Sequence, residues 1–265
     1  MIRAVLFALC FAVANLSYAQ AQPAHKFEPE VGQPGKDVVW VPTPQALVDK
    51  MLDTAKVTPN DFVMDLGSGD GRTVITAAKR GARAYGIEYN PDMVELSKRN
   101  AAKEGVTGKA NFQQADLFKT DFSQATVITM FLLPDINIKL RPKILGMKPG
   151  TRVVSNSFTM GEWSADETAT VGEGCSSWCT AYLWIVPAKV DGAWHLPQGE
   201  LALKQDFQKV SGTLTSGGKT VPLQDGKLRG SEITFRAGGV DYKGRVNGKR
   251  IDGTSASGAW SATRG

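Results

Sequence analysis

Three glycines at alternate positions follow an acidic residue in the segment VMDLGSGDGR, residues 63–72. Glycine tolerates positive φ and lets the main chain approach a ligand closely, so the segment predicts a tight turn shaped around a bound molecule. The apolar residues before the turn are typical of a buried strand, and the periodicity after it indicates a helix. Asp65 and Asp70 would repel an anion, so the pattern favours a cationic ligand.

The spacing separates this loop from the dinucleotide-binding fingerprint G-x-G-x-x-G. The fingerprint places its third glycine three residues after the second, where this chain has Arg72. The pattern here is instead Asp65-x-Gly67-x-Gly69-x-Gly71. S-adenosylmethionine carries a sulfonium and an ammonium group, which acids at a strand end can bind. We therefore expect this cofactor rather than NAD.

Two more acids, Glu88 and Asp116, stand at the ends of the next two predicted strands. Ligands of parallel sheets bind beyond the carboxyl ends of the strands. Each acid alone could equally cap a helix or a turn. Three acids at three successive strand ends predict one binding site for the cofactor.

The elements that must position these acids alternate along the chain. Strands are predicted over residues 62–66, 84–88, 110–114, 125–131, 151–157 and 179–187, and helices over 45–54, 73–80, 92–103 and 136–144. This alternation predicts an α/β domain over residues 39–190, with a mostly parallel, Rossmann-like sheet and helices on both faces. Short alternating segments between glycine pairs predict a small antiparallel β domain, a sandwich or a partial barrel, over residues 191–265.

The N-terminal residues indicate export. Residues 1–21 combine Arg3, a short apolar run and small residues near Ala19 and Ala21, which predicts a cleaved signal peptide; an uncleaved anchor is the alternative. Residues 22–38 are rich in Pro, Gly and charge and predict a flexible leader. We expect an exported or periplasmic protein, in which Cys175 and Cys179 form a short-loop disulfide or remain free thiols. With only two histidines in the chain, no metal site is predicted.

The motif DLGSGDGR at residues 65–72, with Glu88 and Asp116, resembles the cofactor site of class I S-adenosylmethionine-dependent methyltransferases. WVPTP at residues 40–44 and TMFLLPDINIKLRPKI at residues 129–144 resemble bacterial relatives of the lysine methyltransferases that modify the c subunit of ATP synthase and the adenine nucleotide translocase. The resemblance covers residues 38–187 and leaves the C-terminal β domain unexplained.

The resemblance implies a role for each residue of the cofactor site. Asp65 would hold the methionine ammonium, Glu88 both ribose hydroxyls and Asp116 the adenine amino group. Tyr89 and Leu117 would flank the adenine ring. The other residues assigned to the site are Trp40 and Thr43, which would close its methionine end, and the loop residues Gly67, Ser68, Gly69 and Gly71.

The residues after the fourth strand bear on the methyl acceptor. Methyltransferases of adenine or amide nitrogen carry an Asn/Asp-Pro-Pro-aromatic motif there, whereas this chain has Phe131-Leu-Leu-Pro-Asp135. We therefore expect an amine acceptor, such as a protein lysine, with Phe131 as an apolar wall and Asp135 orienting the ammonium. Core packing is the alternative for Phe131.

Two other functions stay open: an exported nucleoside-binding protein without activity, and a methyltransferase of a small molecule. Export also conflicts with a cofactor that is made in the cytoplasm. From residue 192 the chain carries eleven Lys or Arg against six Asp or Glu. This basic surface could contact an anionic membrane or an acidic partner, or merely aid solubility. Nucleic acid is disfavoured because no aromatic platform is interleaved with the basic residues.

Overall fold

The computed structural model describes residues 27–265. The signal peptide predicted for residues 1–21, and residues 22–26 of the predicted leader, lie outside this range. The described residues form an α/β domain that is followed by a β-barrel. The predicted fold class is therefore confirmed, and the predicted boundary at residues 190 and 191 falls between β7 and β8.

The first domain is a seven-stranded sheet in the order β3-β2-β1-β4-β5-β7-β6. Its elements, in chain order, are α1 (Gln45–Thr54), β1 (Phe62–Leu66), α2 (Arg72–Lys79), β2 (Arg83–Glu88), α3 (Pro91–Lys103), β3 (Ala110–Gln114), β4 (Val127–Met130), α4 (Pro134–Leu145), β5 (Arg152–Asn156), β6 (Glu167–Thr170) and β7 (Thr180–Ile185). Strands β1 to β5 pair in parallel, whereas β7 runs antiparallel to β5. The amino end of β7 therefore lies at the same sheet edge as the carboxyl ends of β1 to β5.

Side chains that alternate along the strands bury both faces of this sheet. In β1, Val63 belongs to a core built with α1, α2 and α3, whereas Met64 and Leu66 belong to a second core that includes α4. This alternation follows from the two-residue period of a strand. The helices hold the strand ends in fixed positions from both sides.

The structure differs from the predicted elements at a few places. Strand β4 begins two residues later than predicted and ends one residue earlier, because Phe131 leaves the sheet. Strand β6, with the sequence ETAT, was not predicted, since it is mostly exposed and has no apolar pattern. The predicted helices differ from the observed ones by at most two residues at each end.

The C-terminal domain is a closed eight-stranded antiparallel barrel, not a sandwich or an open partial barrel. Its strands are β8 (Gly192–Leu196), β9 (Gly199–Asp206), β10 (Lys209–Ser216), β11 (Lys219–Arg229), β12 (Glu232–Ala237), β13 (Val240–Asn247), β14 (Arg250–Ser255) and β15 (Gly258–Thr263). Closure occurs where Thr263 of β15 pairs with His195 of β8. Apolar side chains from these strands form a separate core.

The barrel contacts the α/β domain through the turn between β9 and β10. The Phe207 ring stacks on Trp163, with centroids 6.0 Å apart. The Gln208 Nε2 donates to the Ser164 carbonyl at 2.7 Å, and Gln208 is buried. The two domains therefore share a packed, hydrogen-bonded contact on the side of the sheet that carries α4.

Residues 33–40 form a hairpin-like segment, which we call the N-terminal strap. Trp40 N donates to the Gln33 carbonyl at 2.9 Å, and Gly35 N donates to the Val38 carbonyl at 2.9 Å. Residues 33–38 of the predicted leader therefore form a hydrogen-bonded turn rather than a flexible segment. Their Pro and Gly content alone did not indicate this. The helices within residues 27–265 have 8 to 13 residues, and none of them is long and apolar enough to cross a membrane.

A substitution at Gly71 tests how closely helix α2 packs on the sheet. Its φ is 84°, and a Cβ there would lie 2.8 Å from Phe112 and 2.9 Å from Ser97. We expect Gly71→Ala to destabilise the protein by about 2–4 kcal/mol, through strain at positive φ and overpacking. Urea unfolding followed by circular dichroism measures this loss.

The matched control is Gly105→Ala, where φ is 68° and a Cβ would meet no heavy atom of residues 27–265 within 4 Å. This variant should show the backbone strain alone, about 1 kcal/mol. Equal losses in the two variants would contradict close packing at Gly71.

Candidate functional site

A cavity of about 590 Å³ opens at the carboxyl ends of the parallel strands. Its size is typical of a site for a small ligand or cofactor. Eleven of the thirteen residues predicted for the site line it: Trp40, Thr43, Asp65, Gly67, Ser68, Gly69, Glu88, Tyr89, Asp116, Leu117 and Phe131. The ends of β1, β2 and β3 thus bring the three predicted acids to one cavity.

The glycine loop after β1 forms a cradle with no room for side chains. A Cβ on Gly67 would lie 3.1 Å from Leu132, and a Cβ on Gly69 would lie 2.7 Å from the indole nitrogen of Trp40. Both glycines have positive φ. The buried hydroxyl of Ser68 lies beside Gly86 of β2 and has no hydrogen-bond partner within the described residues.

Asp65 is the most deeply buried acid of the cavity, with 6 % of its surface exposed. The hydroxyl of Thr129, its neighbour across β1 and β4, donates to Asp65 Oδ1 at 2.7 Å. Burial raises the pKa of Asp65 to about 7, and the charges of Glu88 and Asp70 contribute in the same direction. A cationic group placed beside Asp65 would favour its ionised form.

Glu88 holds two main-chain segments at the cavity. Its Oε2 accepts a hydrogen bond from Gly69 N at 2.9 Å, and its Oε1 accepts one from Asn90 N at 2.9 Å. Each carboxylate oxygen has a second lone pair, so Glu88 can bind a pair of hydroxyl groups while it keeps the loop in place.

Asp116 is paired with a residue that the sequence did not single out. The Lys36 ammonium donates to Asp116 Oδ2 at 2.9 Å and lies 4.8 Å from the ring centroid of Tyr89. This hydrogen bond holds the pKa of Asp116 below its usual value and raises the pKa of Lys36. The N-terminal strap therefore closes the end of the cavity that was predicted for adenine. The N-terminal strap has no periodic pattern, and most of it was predicted to be a flexible leader. The sequence therefore did not indicate this contact.

Arg72 and Asn156 tie the WVPTP segment to the strand ends. Arg72 Nη1 donates to the Thr43 carbonyl at 2.9 Å, and Asn156 Nδ2 donates to Thr43 Oγ1 at 3.2 Å. Thr43 is buried, and Trp40 covers the glycine loop. These contacts fix the end of the cavity next to β5.

Two predicted site residues are not among those that line the cavity. Gly71 lies behind the loop and packs on Phe112. Asp135 is exposed in the first turn of α4, and the buried Ile136 lines the cavity beside it. Phe158 and Trp178, which sequence reasoning missed, join Phe131 in the wall.

The residues of the cavity fit S-adenosylmethionine. The glycine cradle admits close approach of a ligand, and the three acids match cationic and hydroxyl groups. S-adenosylmethionine has no phosphate group, so its site does not require a phosphate-binding loop.

Comparisons with known proteins point to the same chemistry. A family model described as the ANTKMT methyltransferase domain matches residues 65–167. A protein-lysine N-methyltransferase of Saccharolobus islandicus is 44 % identical over 152 residues, which cover 56 % of this chain and 94 % of that protein. A lysine N-methyltransferase of the ATP synthase c subunit, from Mus musculus, is 34 % identical over 159 residues, covering 60 % of this chain and 62 % of that protein.

A solved structure shares the fold. It is described as an RNA methyltransferase from Salinibacter ruber in complex with S-adenosyl-L-homocysteine. It is 47 % identical, with a TM-score of 0.53, and the match covers 57 % of this chain and 96 % of that one. The family-model match ends before the barrel begins at Gly192.

The raised pKa of Asp65 has a consequence for stability. Below about pH 3 the Asp65 carboxyl is protonated in both the folded and the unfolded chain. As the pH rises towards 7, the unfolded chain ionises while the buried Asp65 stays protonated, so this group lowers stability across that window. The loss approaches about 1.4 kcal/mol per pH unit and levels off above pH 7.

We therefore expect Asp65→Asn to be more stable than the unaltered chain at about pH 8, with a much smaller difference at about pH 5. Urea unfolding at several pH values gives both curves. The exposed Asp206→Asn serves as the control and should follow the unaltered chain. Parallel curves for Asp65→Asn and the unaltered chain would contradict the raised pKa.

Proposed function

We propose that this chain, which belongs to the family of S-adenosylmethionine-dependent protein-lysine N-methyltransferases, methylates the side-chain amine of a lysine in a protein. The observation that carries the proposal is a single cavity in which three strand-end acids meet a wall of aromatic side chains. When bound, S-adenosylmethionine supplies an activated methyl group. The chain itself supplies alignment and the environment of the acceptor nitrogen.

Each side of the cavity binds a different part of the cofactor. Glu88 accepts hydrogen bonds from the ribose hydroxyls while it holds the glycine loop through Gly69 N. Asp65, in its ionised form, neutralises the ammonium of the cofactor. Asp116 accepts from the adenine amino group, either beside Lys36 or after Lys36 has moved away. Trp40 and Thr43 cover the methionine end.

The acceptor nitrogen must lose a proton before it can attack a methyl group. The cavity wall next to β4 includes the aliphatic side chains of Leu132, Leu133 and Ile136. An apolar surrounding disfavours a charged lysine, so entry into this part of the cavity lowers the pKa of the amine. Water at the open side of the cavity can take the proton. This chemistry requires no strong general base.

The charge of the cavity supports a cationic acceptor rather than a nucleic acid. Asp37, Asp65, Asp70, Glu88 and Asp116 line it, against the two bases Lys36 and Arg72. An excess of carboxylates attracts a lysine side chain and repels phosphate. RNA, the substrate class in the description of the Salinibacter structure, is therefore the less favoured acceptor.

We expect the full chain to transfer a labelled methyl group from S-adenosylmethionine to protein in a membrane extract, with the label recovered as Nε-methylated lysine. Glu88→Ala should reduce the transfer at least about tenfold, because hydrogen bonds to a charged group each contribute about 1.5–3 kcal/mol. The exposed Glu95→Gln on α3 is the matched control and should keep full transfer.

The same experiment separates the rival functions. Label that disappears on ribonuclease treatment, or that stays in the low-mass fraction, would contradict a protein acceptor. Tight binding of S-adenosylhomocysteine in a calorimeter without transfer to any fraction would favour a binding protein that has lost activity.

We also propose that the protein acts outside the cytoplasm and contacts an anionic membrane surface through the barrel. The N-terminal signal pattern and the Cys175–Cys179 disulfide support export, since disulfides persist in oxidising compartments. The excess of Lys and Arg after residue 192 supports the membrane contact. Cell fractionation should recover a chain that begins after Ala19 or Ala21, released from membranes by high salt. A cytoplasmic chain that begins at Met1 would contradict export.

A further inference from the structure

Three aromatic rings meet in the cavity wall on the side away from Glu88 and Asp116. The centroid distances are 5.9 Å between Phe131 and Phe158, 6.0 Å between Phe131 and Trp178, and 5.1 Å between Phe158 and Trp178. All three side chains line the same cavity as the strand-end acids. We call Phe131, Phe158 and Trp178 the aromatic cluster.

The cluster follows from the order of the strands. Phe131 comes directly after β4, Phe158 follows β5, and Trp178 precedes β7. These strands stand next to β1 in the order β1-β4-β5-β7, on the side opposite β2 and β3. Glu88 and Asp116 thus lie at one half of the sheet edge and the aromatic cluster lies at the other. Asp65, at the end of β1, lies between them.

The rings are not part of the hydrophobic cores. Trp178 is 45 % exposed, Phe131 and Phe158 are half-buried, and none of the three belongs to a buried cluster in the described part of the chain. Exposed aromatic faces at a cavity, rather than buried ones, indicate a binding surface.

Hydrogen bonds and a disulfide hold the main chain at two of these rings, Phe158 and Trp178, in place. The buried Asn137 of α4 donates to the Thr159 carbonyl at 3.2 Å and to the Phe158 carbonyl at 3.4 Å. Trp178 lies inside the loop that the Cys175–Cys179 disulfide closes. The hydrogen bond from Val171 N to the Cys179 carbonyl at 2.9 Å closes the longer segment 171–179, which also contains Trp178. Trp178 has a φ of 58°, so a constrained loop is needed to keep it there.

We propose that the aromatic cluster is the binding site for the ammonium group of the acceptor side chain, and that the Cys175–Cys179 disulfide positions Trp178 in it. This proposal rests on the proposed function and identifies the part of the cavity that binds the acceptor. The faces of aromatic rings carry negative charge density and attract alkylammonium groups. The three rings line one part of the cavity, so an alkylammonium group can lie against the ring faces that are open to it.

The test uses a cation and its neutral isostere on the full chain saturated with S-adenosylhomocysteine. The probes are N-acetyl-Nε-trimethyl-lysine amide and the analogue in which a tert-butyl group replaces the trimethylammonium. We expect the cation to bind about tenfold more tightly than the isostere, measured by calorimetry. The indole N–H resonance of Trp178, assigned by its loss in Trp178→Phe, should shift with the cation.

Three variants separate a binding role from a structural one. Trp178→Ala should lower the preference for the cation to about twofold or less, while Trp178→Phe keeps most of it. Cys175→Ser combined with Cys179→Ser should lower the preference in the same direction and leave the affinity for S-adenosylhomocysteine unchanged. Ile138→Ala, an exposed apolar residue on α4 that does not line the cavity, is the control and should keep the full preference.

Equal binding of the two probes to the unaltered chain would overturn the proposal, as would a full preference in Trp178→Ala. A full preference in the double serine variant would overturn the positioning role of the disulfide. These results leave methyl transfer to lysine intact, so they are distinct from a failure of the proposed function. That failure would appear as an unaltered chain that transfers no labelled methyl group from S-adenosylmethionine to protein lysine.

Discussion

Strands β1 to β5 run parallel, so their carboxyl ends all reach one edge of the sheet. This constraint places Asp65, Glu88 and Asp116 on one cavity although 51 residues of sequence separate the first from the last. The same edge receives the residues after β4 and β5 and, because β7 is antiparallel, the residues before β7. Both halves of the site are therefore consequences of strand direction.

Different surroundings shift the pKa values of Asp65 and Asp116 in opposite directions within one cavity. Asp65 is enclosed between β1 and β4, and its pKa rises to about 7, so a cationic ligand is needed to stabilise its charge. Asp116 lies closer to solvent and is paired with Lys36, and its pKa falls. Burial thus favours the protonated form of Asp65, and the N-terminal strap neutralises Asp116. A ligand that carries its own positive charge at one end and an amino group at the other complements both.

The sequence was informative where the chemistry depends on residues at strand ends. The glycine spacing, Asp65, Glu88 and Asp116 could be predicted because a strand end and its loop are neighbours in the chain. The strap contact of Lys36 with Asp116 could not, because it joins residues far apart through a segment without periodicity. Trp178 was missed for a similar reason: its place depends on a disulfide loop and on the antiparallel direction of β7. Closure of the barrel depends on the single pairing of Thr263 with His195, which alternation alone does not reveal.

A crystal structure of the full chain with S-adenosylhomocysteine is the most direct test of the central claim. We expect the ribose hydroxyls on Glu88, the amino group of the homocysteine part beside Asp65, and the sulfur directed towards the aromatic cluster. An adenosyl group bound outside this cavity, or a sulfur directed away from Phe131, would contradict it.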